Sequence, residues 1–444
     1  MVNGRGKYDS VCALAAGDDT AQAMRQPKII TTLQNYSRSL FLSDLVAGIT
    51  VAMVALPLSI AIAIASGAEP AKGIVTAIVG GFFISLFGGS RVQIGGPTGA
   101  FIVVVFGVIA DHGYDGLVLA TLMAGMILMI AGYFRLGGLI SLVPEAVITG
   151  FTIGIAVIIA TSQINDFFGL ALSNLPAEFL EKVVILWQAR NGLNGAALVV
   201  PLVTLVLIIA FRRLFPRFPG LIVAVAIGSA LAAYPGFTAD TISSRFGELT
   251  NQFPGVAIPA ISVDRLIELL PSALIIAFLA GVESLLSAIV ADRMIEGHHR
   301  PNAELTAQGI ANIASSLFAG LPVTGAIART ATNINAGGRT PVAGIIHAIV
   351  ILIILILAAP LAGYLAMPAL AALLVLTAWN MSEPHRWKSY LSLPRAELML
   401  LLTTFVLTVT ADLTVAIGVG VALGLALRLR ESNLPPQPWD SPDR

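Results

Sequence analysis

Apolar segments of 18 residues and more recur along this chain of 444 residues, and they constrain its fold more than any other feature. Crossing a bilayer core of about 30 Å takes about 20 helical residues, so such segments read as membrane spans. A soluble domain carries roughly 25% charged residues. Here 11% are charged and 57% hydrophobic, which makes lipid the solvent for most of the surface. Transmembrane barrels read as short alternating segments, and none occurs. The fold class is therefore an all-α polytopic membrane protein.

The spans fall at about 43–66, 71–88, 97–110, 116–133, 140–162, 197–213, 218–235, 268–292, 301–319, 326–336, 340–358, 361–378, 396–411 and 413–430, about fourteen in all. With the N-terminus inside, an even number of spans puts Arg91, Arg135, Arg212, Arg293, Arg339 and Arg386 on the cytoplasmic side, with both termini. The short outer loops 111–115, 320–324, 359–362 and 411–412 hold no Lys or Arg, as the positive-inside rule requires. The polar residues 1–42 are too poor in apolar residues for a cleaved signal, so they read as a cytoplasmic tail with 29–40 along the membrane surface. Residues 43–430 read as the membrane domain and 431–444 as a short cytoplasmic tail. The outer segments 163–196 and 236–267 are rich in Pro and Gly and are expected to carry short surface helices.

Seven spans in each half make the second half enter from the opposite face, which is a 7+7 inverted repeat. Two of its members are short. Gly95-Gly96-Pro97-Thr98-Gly99-Ala100 and Thr324-Gly325-Ala326-Ile327-Ala328-Arg329-Thr330 each read as a short extended run turning into a half-helix. Broken helices are tolerated at membrane depth where they line a wet cavity, and in corresponding places of two halves they point to a binding site. With the halves inverted, the two helix starts converge near the midplane, each contributing roughly +0.5 charge from unpaired N–H groups. That is an anion site. The bland alternative is that the small residues only allow close helix packing.

The run Gly88 to Ala100, with Ala63-Ile64-Ala65-Ser66-Gly67, Gly150-Phe151-Thr152-Ile153-Gly154, Glu283-Ser284-Leu285-Leu286-Ser287-Ala288 and Ala378-Trp379-Asn380-Met381, resembles the SulP family of anion transporters over about residues 40 to 430. The resemblance implies a core of spans 1–4 and 8–11, a gate of spans 5–7 and 12–14, an anion held between spans 1, 3, 8 and 10, and a homodimer. It also sets two departures in view. Family members usually carry a cytoplasmic STAS domain after the last span, whereas Glu431 to Arg444 are too few for one. Some relatives place a carboxylate just after the proline of span 1; here Leu58 follows Pro57.

Arg329 is an intramembrane charge, costing roughly 2.5–3.5 kcal/mol on insertion scales, so it needs a partner or a purpose. Its forked donors suit an oxyanion, and the alternative is an ion pair with Glu283. The expected substrate residues are Thr98, Gly99, Ala100, Ala328, Arg329, Thr330 and Ser59. Glu283 lies mid-span with Ser287 one turn on, on the same helical face. Together they are the coupling-ion candidates, either as a proton carrier at Glu283 or as oxygen ligands for Na⁺. Thr50 adds a further hydroxyl near the cavity, read more readily as helix–helix glue. His298 and His299 read as a solvated loop, Asp292-Arg293 as an interface pair, and His347 as satisfying a neighbour in its span. With five His and the single Cys12 in the N-terminal tail, no metal or other cofactor is expected beyond the coupling ion. Net charge is zero, so nucleic acid is not an expected partner. No nucleophile elbow, P-loop or paired catalytic carboxylates occurs, which points away from an enzyme.

The expectation is thus a secondary active transporter of a small anion (sulfate, bicarbonate or dicarboxylate) in a bacterial inner membrane. It would work by proton-coupled symport with an elevator-type movement of the core. The alternatives are sodium-coupled bicarbonate uptake, or a passive channel or exchanger on the same fold. A nucleobase permease shares the architecture, but position 329 would then be expected to be acidic.

Overall fold

A computed structural model describes residues 26–430 apart from 35, 141–142, 173–174, 177, 193–194, 196, 216–218, 235–236, 238 and 412. Residues 1–25 of the expected N-terminal tail, with Cys12, and the expected tail 431–444 lie outside the described residues. The main helices are α1 (Arg38–Ala65), α2 (Pro70–Phe87), α3 (Ile102–Tyr133), α4 (Glu145–Ser162), α5 (Val199–Leu214), α6 (Gly220–Ala232), α7 (Val263–Ile295), α8 (Pro301–Leu317), α9 (Ile327–Asn335), α10 (Pro341–Ala362), α11 (Met367–Met381), α12 (Arg395–Thr410) and α13 (Leu413–Arg430). Six helical stretches are long and apolar enough to cross a membrane. On α10, Ile349, Ile353, Ile356 and Leu357 are exposed at helical spacing, a stripe that only lipid solvates well.

Several boundaries differ from those read in the sequence. The tail expected to run to residue 42 ends earlier: α1 starts at Arg38, because the Ser37 side chain accepts from the Leu40 N–H at 3.2 Å and caps it. Part of the expected surface segment is the short helix Lys28–Leu33, with Ile30 and Leu33 exposed. The third and fourth spans join directly, inside the expected loop 111–115. They run as one element broken at Gly113, whose φ of 70° and ψ of 177° turn the chain in the left-handed region open to glycine. The outer segments carry short helices at Ile164–Phe168, Phe179–Gln188 and Ile242–Phe246.

The helices pack in two groups. In one, α8 lies along α3 and α2, α7 along α3, and α10 along α1 and α2. In the other, α12 packs on α4, α5 on α6, and α11 on both α4 and α5. Glycines allow the close approach: Gly150 of α4 sits on the Leu401 carbonyl and Gly154 on the Thr408 side chain. Helix α1 touches α6 and α11, joining the two groups.

Within the first group, against α2 and α7, lies the only regular strand pairing among the described residues. β1 (Gly95–Gly96) runs antiparallel to β2 (Thr324–Gly325), pairing Gly95 with Gly325 and Gly96 with Thr324. A two-residue ladder cannot hold itself at membrane depth. Buried side chains hold it instead. The Asn312 amide binds the Val323 carbonyl at 2.8 Å and accepts from the Val323 N–H at 3.0 Å. Asn333 donates to the Val92 carbonyl at 2.8 Å, and Thr324 to the Ala280 carbonyl at 2.9 Å. Glu304, fully buried, accepts from the Gly89 N–H at 2.8 Å and from Ser284 and Gln308 at 2.9 and 2.8 Å. Gln93 joins this network through Ser284 Oγ at 3.0 Å.

Candidate functional site

The strands deliver two helix starts to one place. After β1, Thr98 is extended and a single 3-10 turn, Gly99–Phe101, leads into α3. After β2, Ala326 is extended and α9 begins at Ile327. The first-turn N–H groups of a helix lack intrahelical partners, so each start carries partial positive charge. A cavity of about 170 Å³ is lined by Thr98, Gly99, Ala100, Ala328, Arg329 and Glu283, with Leu58, Ile62 and Leu286 supplying apolar wall. Six of the nine residues singled out in the sequence thus meet at one cavity.

The hydroxyl of Thr98 donates to Glu283 Oε2 at 2.7 Å. A carboxylate on α7 and a helix start from β1 are therefore joined directly. Arg329, the largest fully buried side chain among the described residues, also lines the cavity. Its Nη2 donates to the Pro97 carbonyl at 2.9 Å and to Ser59 Oγ at 3.2 Å. Its Nη1 passes beneath Gly96, where a Cβ would stand only 2.0 Å from it, so a side chain there would have to displace the guanidinium. No ion pair between Arg329 and Glu283 occurs among the described residues. Arg329 thus stands at the cavity without a salt bridge to Glu283.

The other three predicted residues stand behind the cavity wall. Ser59 holds Arg329. Thr330 Oγ1 accepts from the Ile94 N–H at 3.1 Å, and Ser287 Oγ lies 3.3 Å from it. All three are buried. Thr50 bonds only back to Val46 of its own helix. Leu58, at the position where some relatives place a carboxylate, lines the cavity as an apolar residue.

The cavity continues to a mouth made by Glu145, Glu383, Arg386 and Tyr390, none of them anticipated as a site. Arg386 donates to Glu145 at 2.8 Å and to Glu383 at 3.3 Å, and Tyr390 donates to Glu383 at 2.5 Å. Burial alone would lower the pKa of Arg386, but the bonds to these carboxylates outweigh it and raise it. The mouth thus carries two acids against one fixed cation.

Two histidine readings need correction. His299 is not loosely solvated: its Nδ1 and backbone N–H both reach Asp292 Oδ2 at 2.7 Å, which also gives Asp292 a partner other than an interface pair. His347 is buried within α10, and neither ring nitrogen has a hydrogen-bond partner among the described residues. A further buried acid escaped the sequence reading. Asp44 accepts from the Arg339 and Thr340 N–H groups at 2.9 and 3.2 Å and from Tyr36 and Thr340 hydroxyls, tying the start of α1 to that of α10. Glu304 carried a readable signal. Glu304, Gln308 and Asn312 repeat every four residues, one polar stripe in an otherwise small and apolar helix.

The family model for the sulfate permease family matches residues 41–404. The chain belongs to that family. It is 43% identical over 382 residues to the putative sulfate transporter YvdB of Bacillus subtilis, covering 86% of this chain and 72% of the relative. It is 32% identical over 350 residues to the bicarbonate transporter BicA of Picosynechococcus, covering 74% of this chain and 60% of that protein. The solved transmembrane domain of a cyanobacterial BicA superposes with a TM-score of 0.76 at 29% identity, over 88% of this chain and 98% of that one. SLC26A9 shares the fold, with a TM-score of 0.82 at 16% identity over 94% of this chain and 70% of that one. The protein is therefore an integral membrane anion transporter of the sulfate permease family, and not an enzyme.

Proposed function

We propose that the protein is a secondary active transporter of a small oxyanion, with sulfate first and bicarbonate second among candidates. The anion sits between the starts of α3 and α9, with Arg329 supplying positive charge beside it. The Thr98–Glu283 hydrogen bond of 2.7 Å at the cavity wall carries the reading, because it links the coupling carboxylate directly to one helix start. Protonation of Glu283 neutralises the loaded site. The core group of helices, spans 1–4 and 8–11, then carries it past the gate, spans 5–7 and 12–14, in an elevator movement within a 7+7 inverted repeat of about fourteen spans. With both termini cytoplasmic, the mouth at Glu145 and Arg386 opens inward, in a bacterial inner membrane and as a homodimer.

Inward movement of an anion against a negative-inside potential costs about 2.3 kcal/mol per charge per 100 mV, which cotransported cations offset. Sodium is the second reading: the Thr98 hydroxyl and the Glu283 carboxylate are hard oxygen ligands of the kind Na⁺ takes, and the relative BicA supports bicarbonate as its companion. Uptake of radiolabelled sulfate and bicarbonate into proteoliposomes under separate proton and sodium gradients tests this. Accumulation of one anion above the external level with an inward proton gradient is the expected result. Equilibration without accumulation under either gradient would make the protein a passive channel or exchanger.

A further inference from the structure

Lys182 is a buried cation that the proposed mechanism does not use. It sits on the short helix Phe179–Gln188 of the outer segment, with 5% of its surface exposed. Among the described residues it forms no ion pair. Burial lowers its pKa, and no charged neighbour among those residues offsets that. Its ammonium instead lies over the ring of Phe106, 5.2 Å from the ring centre. An ammonium taken out of water without a counter-ion is costly, so its retention calls for a purpose.

The two partners belong to different groups of helices. Thr161 and Ile164, at the end of α4, share a cavity wall with Val183, Leu186 and Trp187, so the helix of Lys182 is seated on the gate side. Phe106 belongs to α3, and its ring rests on the turn between α1 and α2, 3.3 Å from where a Cβ of Gly67 would stand. That is the core side. The contact also has a definite end. Glu145 opens α4 at the mouth of the anion cavity, and the 18 residues of α4 reach about 27 Å from there. Lys182 therefore stands at the end away from the mouth, where core and gate touch.

Phe106 lies seven residues beyond Gly99, two helical turns, hence on the same face and about 10 Å further along. At Gly99 that face looks onto the gate: a Cβ would stand 2.8 Å from Met381 Sδ and 3.7 Å from Ile159 Cδ1. An elevator step of two turns toward the closed end would put the start of α3, with its anion, where the Phe106 ring now meets Lys182.

We infer that Lys182 is a second anion contact, fixed on the gate, which receives the small oxyanion when the core presents it to the outer face. Until then the Phe106 ring holds its place: a cation–π contact retains the ammonium without neutralising it, and an oxyanion is the stronger partner when it arrives. The inference rests on the proposed elevator movement.

Uptake of radiolabelled sulfate and bicarbonate into proteoliposomes, measured against the external anion concentration, tests it. Lys182→Met keeps the bulk and removes the charge. It should raise KM about tenfold at little changed kcat, with Lys182→Arg close to wild type. A wild-type KM in Lys182→Met would overturn the inference. Restoring the charge chemically separates contact from packing. In a Cys12→Ser background, Lys182→Cys should regain most of its affinity after reaction with aminoethyl methanethiosulfonate and none with the sulfonatoethyl reagent. Equal effects of the two reagents, or a cysteine that never reacts, would mean that the residue only packs. A third arm isolates the elevator. Lys182→Cys with Phe106→Cys, bridged by a bifunctional methanethiosulfonate, should stop uptake until the bridge is reduced. Uptake that continues across the bridge would sink the elevator reading, and the inference with it. A bridge that stops uptake, beside a wild-type KM in Lys182→Met, would keep the elevator and strike Lys182 as an anion contact.

Discussion

The two helix starts share a backbone plan and divide the chemistry. Both follow a glycine-containing strand, and the two strands pair with each other. The first start, at Thr98, is neutral, and its helix runs to the break at Gly113. It holds a carboxylate by a hydroxyl. The second, at Ala326, opens a helix of only 9 residues and carries a buried cation three residues in. In the proposed mechanism, one start supplies the hydrogen bond that addresses the coupling ion, and the other supplies the charge that addresses the substrate. The paired strands fix where the starts meet, and the side chains at a few positions distinguish the two.

Filling the gap between the starts should have the largest effect. At Gly99 a Cβ would stand 2.8 Å from Met381 Sδ on α11, so Gly99→Leu both occupies the cavity and wedges the core against the gate. Ala328→Leu fills it from the other start. Both are expected to abolish anion binding in a thermal-shift assay with sulfate while the protein still elutes as a folded species. Wild-type affinity in either would put the anion elsewhere. Removing the charge of the second start comes next. Arg329→Ala should weaken anion affinity roughly 10- to 150-fold, the worth of a charge-assisted contact of about 1.5–3 kcal/mol. Unchanged affinity with a lowered melting temperature would make Arg329 a purely structural residue.

The first start should be milder. Thr98→Val removes one hydrogen bond to Glu283 and should reduce uptake about 2- to 12-fold, with Thr98→Ser close to wild type. A serine variant as impaired as valine would mean that the methyl group, and not the hydroxyl, matters. Smallest of all should be Ser287→Ala, since Ser287 faces Thr330 rather than the cavity. Less than a twofold change in uptake is expected. Loss of sodium-dependent accumulation in that variant would instead make Ser287 a ligand of the coupling ion.

These residues also show what one sequence can and cannot disclose. Membrane helices declared themselves, because their apolar runs are local and the solvent dictates them. So did Thr98, Arg329 and Glu283, since a polar side chain inside an apolar run stands out wherever its partners lie. Partners did not declare themselves. Asp44 meets Thr340 across 296 positions and Glu304 meets Gly89 across 215, and no periodicity links such pairs. The break at Gly113 was legible as the polar run Asp111-His112-Gly113-Tyr114-Asp115 between two apolar spans; only its tightness was not, because a sharp turn leaves no mark on hydropathy. Ser287 was grouped with Glu283 on helical spacing alone, whereas burial separates them: the edge of the cavity passes between the two.

Glu283→Gln in proteoliposomes tests the division of labour most directly, since glutamine mimics the protonated carboxyl. With an inward proton gradient, the wild type should concentrate the anion. The variant should still bind it and exchange it across the membrane, but should no longer accumulate it in response to pH. Continued proton-driven accumulation by Glu283→Gln would contradict coupling at this residue.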